Sequence, residues 1–100
     1  MLDLDTLADR RAKSLNQGPE LWKAAVWSNE FQKLSQSMSD GEVETLISWC
    51  PTVKHLNQVV RFLDSKCAES GVSPFTILTK VAEGDGLKPS DWIQRKLEGV

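Results

Sequence analysis

Between residues 53 and 67 the apolar side chains Val53, Leu56, Val60, Leu63 and Cys67 recur in steps of three, four, three and four. That spacing lines one face of a 3.6-residue helix. Val59 widens the stripe, Thr52 stands where a capping hydroxyl is wanted, and Ser70-Gly71 supplies a stop. A helix over 52–70 follows. Its apolar face must be covered by other elements, so it is expected at the centre of the core. Nowhere does the chain alternate apolar and polar residues over more than four positions, so no strand is expected.

Local signals divide the rest of the chain into further helices. Leu4, Ala8, Ala12 and Leu15 form a narrow stripe over 5–15, opposite a charged face of Asp9, Arg10, Arg11 and Lys13. The first 17 residues make a helix that a weak stripe would attach only loosely. Asn16-Gln17-Gly18 reads as a break, and Pro19 suits a first helical position because its missing N–H is not needed there. The stretch 19–38 carries a conflict of phase. Leu21, Trp22, Ala25 and Val26 share one face, while Trp27, Phe31 and Leu34 lie on roughly the opposite one. A break or bend near Ser28-Asn29, where either residue can cap a new helix, is the expected resolution; one helix covered on both sides is the alternative. Ser39-Asp40-Gly41-Glu42 fits a capping box ahead of Val43, Leu46, Ile47 and Cys50, and Pro51 ends that helix.

The last third contains two similar units. Residues 71–84 align without gaps to 86–99, matching Gly71 with Gly86, Pro74 with Pro89, Leu78 with Ile93, and Gly84 with Gly99. Each unit reads as an opening glycine, a proline-started short helix and a glycine just past its end. Such short helices are stable only when docked, here through Leu78/Val81 and Ile93/Leu97. Shared start and stop chemistry is the preferred explanation; a duplicated binding element is the other.

The whole chain is therefore expected to be all-α, a small compact bundle of five to seven helices in a single domain, as 100 residues suggest. Its apolar runs are too short to span a membrane, and the acidic start Leu2-Asp3-Leu4-Asp5 lacks the basic and apolar regions of a signal peptide. Cytoplasm is the expected compartment. Cys50 and Cys67 flank a helix, which separates them by roughly 25 Å and leaves both reduced.

One histidine, His55, and two distant cysteines cannot furnish a metal site or an activated nucleophile. No catalytic residue, no metal and no cofactor is expected, and hence no enzyme. A net charge of −2 disfavours a nucleic-acid partner.

Gly71-Val72-Ser73 followed by Thr76-Ile77 resembles the turn and recognition-helix start of helix-turn-helix DNA-binding proteins. The resemblance implies duplex binding through Ser73, Thr76, Thr79 and Lys80, within 71–97. These side chains include no Arg, Asn or Gln for bidentate contacts to bases, so DNA binding stands as the second reading. The first is a non-enzymatic protein-binding module: a small regulator, inhibitor or adaptor whose partner is another protein or a second copy. Four tryptophans, more than average for this length, direct attention to aromatic anchors. Trp27, Phe31, Leu34 and Trp92 are the candidate partner-binding residues, a second core face being the alternative for the 27–34 group.

Overall fold

Helix boundaries follow local chemistry at nearly every end. The computed structural model describes residues 3–97 and contains, among them, seven helices and no strand. The Asp3 carboxylate accepts the Thr6 N–H at 3.3 Å and opens α1 (Leu4–Ser14). That helix closes at Asn16 in a left-handed turn of φ 56°, with Gln17 N–H donating to Ala12 O at 2.8 Å and Asn16 N–H to Lys13 O at 3.1 Å. This pair of bonds satisfies carbonyls that a helix end leaves unmatched. Helix α2 (Pro19–Val26) starts on its proline, and α3 (Asn29–Ser35) starts where the Ser28 hydroxyl accepts the Phe31 N–H at 3.3 Å. The phase conflict is thus resolved by a break at Ser28.

In α4 (Asp40–Trp49) both halves of the capping box form: Glu42 N–H donates to Ser39 Oγ at 3.2 Å and Ser39 N–H to Glu42 Oε1 at 2.9 Å. Helix α5 (Val53–Ser70) is capped by the Thr52 hydroxyl, which accepts the His55 N–H at 3.1 Å. It stops at Gly71, φ 68°, whose N–H donates to Cys67 O at 3.0 Å.

The two repeated units give α6 (Pro74–Gly84) and α7 (Pro89–Lys96), each begun by its proline. The glycine that ends α6 differs from the expectation. Gly84 is the last helical residue, and the left-handed position falls on Gly86, φ 71°. Leu87 N–H and Gly86 N–H then reach back to Ala82 O and Glu83 O, both at 2.9 Å. The opening glycine of each unit is therefore the stop of the helix before it, because only a residue at ease with positive φ can turn the chain there. Gly99, the corresponding glycine of the second unit, lies outside the described residues.

Helix α5 packs against α2, α3, α6 and α7, while α1 lies on α2 and α4, and α4 also meets α7. Leu56, Val59 and Leu63 of α5 are fully buried, as a central helix requires. Around them close Trp22 and Val26 from α2, Leu46 from α4, Leu78 from α6 and Ile93 from α7. The Cα radius of gyration, 12.7 Å, matches the roughly 13 Å of a folded globule of 100 residues. Leu7, Ala8 and Ala12 bury the inner side of α1.

Three of the four candidate partner-binding residues belong to this core. The break at Ser28 re-aims α3, so Phe31 and Leu34 turn inward and are only 2% and 3% exposed. Trp92 is buried as well; its ring lies 5.3 Å from that of Phe62, and its N–H donates to Asp85 Oδ2 at 2.8 Å. Burial of side chains this size is worth about 1.5–3 kcal/mol each, which is why the chain spends them on its interior.

Arg11, expected on a solvated face, is half-buried and donates from Nε and Nη2 to Cys50 O at 3.2 and 2.9 Å. Gln17 ties the same corner: it donates to Pro51 O and accepts the Trp22 indole N–H, both at 2.9 Å.

Candidate functional site

Among the described residues, large apolar side chains are exposed on one helix, α2, and at its C-terminal cap. In α2, residues Trp22, Ala25 and Val26 point into the core, while Leu21, Ala24 and, at the C-terminal cap, Trp27 are exposed. Positions i, i+3 and i+6 follow one of the natural ridges of a helix surface. Leu21 is 65% exposed and Trp27 is 56% exposed. They are two of the three large exposed apolar residues among those described, Val72 being the third. The sequence pattern groups Leu21 with Trp22 on the inward face, and the structure separates them. Leu21 sits about 100° round from Trp22, and the α1 and α5 neighbours close over only the side that carries 22, 25 and 26.

Trp27 ends α2, with backbone angles just off the helical region. Its indole N–H donates to Asp5 Oδ1 of α1 at 2.6 Å. A hydrogen bond at the polar edge holds the ring while more than half of the residue stays exposed. Such a side chain gives large contact area at little further loss of rotamer freedom.

Beside the ridge runs a groove of about 330 Å³ between α2 and α5. Leu21, Ala24 and Ser28 form one wall, continued by Glu30 at the start of α3; Val53, Asn57 and Arg61 form the other. Trp27 stands outside it, on the α1 side of the ridge.

The residues implied by the helix-turn-helix resemblance are differently disposed. Thr76 and Lys80 are exposed on α6, while Ser73 and Thr79 are half-buried. The Thr79 hydroxyl is engaged by its own helix, donating to Phe75 O at 2.9 Å. Phe75 stacks on Trp49 at 5.2 Å, docking α6 on the end of α4. The exposed side of α6 also carries Glu83, which opposes a phosphate backbone.

Among the described residues no three His, Cys, Asp or Glu side chains gather to hold a metal ion. Both cysteines are free thiols. Cys50 is fully buried, and that burial pushes its thiol up to about 12. Burial, and then the neighbouring Asp64 carboxylate, also raise Cys67, whose Sγ donates to Val72 O at 3.4 Å. Neither is poised as a nucleophile, since the thiolate is the reactive form. His55 is held at the start of α5 with Nδ1 2.7 Å from the Thr52 hydroxyl.

No family model, curated protein or solved structure matches this chain. No helix among the described residues is long and apolar enough to cross a membrane.

Proposed function

We propose that the protein is a non-enzymatic binding module of the cytoplasm, a small regulator, inhibitor or adaptor that docks a protein partner on the outward ridge of α2. The observation that carries this reading is the exposure of Leu21 on one short helix and of Trp27 at its C-terminal cap, with the indole held in place by Asp5. Tryptophan is the residue most enriched among those that dominate binding energy. An apolar ridge kept in water adds little to the fold's own core, and a contact made with another molecule is a use that supports the reading.

The test is capture by the full chain with and without nuclease, compared with the Leu21→Ser/Trp27→Ala variant. A protein held by the wild-type chain, indifferent to nuclease and released by the paired substitution, is expected. Retention of that protein by the variant would overturn the reading. So would salt-sensitive binding to duplex DNA that Lys80→Glu abolishes, because exposed Thr76 and Lys80 on α6 would then be the working surface.

A further inference from the structure

The groove between α2 and α5 is sorted by charge. Its α2–α3 wall carries one charged residue, Glu30, and its α5 wall carries one, Arg61, with Lys54 two turns before Arg61 on the same face of α5. Glu30, Arg61 and Lys54 are exposed, and none forms an ion pair among the described residues. Lys33, the basic residue nearest along α3, is already matched with Asp64 of α5 at 3.8 Å. The floor of Ala25 and Val60 thus has an acid, Glu30, at one rim and a base, Arg61, at the other.

This pattern is complementary to itself. Turn a second copy about a twofold axis lying along the groove and it places its acidic side over the first copy's basic side, twice over. Glu30 of each copy then faces Arg61 of the other. The same operation lays each exposed Leu21 over the other copy's Val53 side, in a hollow of about 330 Å³. A patch that offers both a protruding side chain and a hollow, with opposite charges flanking them, is what a twofold contact uses. We infer that a second copy of this chain is the partner of the groove side of α2, paired through Glu30 and Arg61. The inference rests on the reading of α2 as a docking helix and names the occupant of its groove.

Charge reversal tests it without disturbing the core. Glu30→Lys sets base against base at both symmetry-related contacts, and Arg61→Glu sets acid against acid. Sedimentation equilibrium of the full chain should show mass rising toward the dimer with concentration. Each single variant should weaken that association by about tenfold or more. An equimolar mixture of the two variants should associate again. When a Glu30→Lys copy meets an Arg61→Glu copy, each of the two contacts once more sets a base against an acid. Circular dichroism of each variant confirms that helix content is kept.

A wild-type chain that stays monomeric to millimolar concentration would overturn the pairing. Single variants that associate like wild type would do so too, as would a mixture no better than its components. A monomeric chain that still loses a captured protein on Trp27→Ala would sink the self-pairing alone, leaving the ridge reading in place.

Discussion

Cys50 shows how one buried side chain acquires a pH dependence. Its thiol is fully enclosed where α1 meets the end of α4, and Sγ donates to Leu46 O at 3.3 Å. Burial disfavours the thiolate and raises the thiol from its ordinary value near 9 to about 12, despite the opposing pull of Arg11. In the unfolded chain the thiol ionises first, so the unfolded state binds fewer protons between these two values. Stability drawn from the buried thiol is therefore complete below about pH 9 and is lost as pH rises toward 12, at up to about 1.4 kcal/mol per pH unit. Urea unfolding from about pH 8 to 11 should show a steeper fall for wild type than for Cys50→Ala. Parallel curves for the two proteins would mean the thiolate is tolerated in the fold. Gly71, Gly86 and Asn16 illustrate the opposite case at this scale. Their positive φ is local: Gly71 was legible as a stop, whereas the left-handed stop after α6 falls on Gly86 and not on the expected Gly84.

At the scale of elements, the pair α2–α3 shows how a helix face is assigned. Both helices are too short to be stable alone, and each takes its orientation from the neighbours it packs against. The serine at position 28 was legible as a cap, and with it the break. What the sequence did not reveal was that Leu21 would be left outside while Phe31 and Leu34 went in, because that depends on how much of α2 is covered by α1 and α5. The difference is measurable. Phe31→Ala, removing a ring that is 2% exposed, should cost about 3–5 kcal/mol of unfolding free energy. Trp27→Ala, removing a ring that is 56% exposed, should cost less than about 1.5 kcal/mol, mainly through the Asp5 hydrogen bond. Equal losses in chemical denaturation would place Trp27 in the core and withdraw it from the candidate surface.

For the molecule as a whole, every helix contributes side chains to one continuous core. Trp22, Trp49 and Trp92 report from α2, α4 and α7, and each touches a different neighbour: Gln17, Phe75 and Phe62. A fold built this way should unfold as one unit. Urea transitions followed by helix ellipticity and by tryptophan fluorescence are expected to coincide. Separate midpoints would show that α1 or the α6–α7 pair opens independently of the rest.

The residues alone determined the helical class, most of the helix boundaries and the central place of α5. Those features arise from interactions spanning three or four residues: the Ser39–Glu42 capping box, the prolines at 19, 74 and 89, and the stripe from Val53 to Cys67. Only the tertiary structure decided that Arg11 would bind the Cys50 carbonyl, that Trp92 and Phe31 would be core, and that Leu21 and Trp27 would flank a bare ridge. Which third of a short amphipathic helix remains in water is set by the packing angles of its neighbours, and those angles follow from the shapes of side chains far apart in the chain.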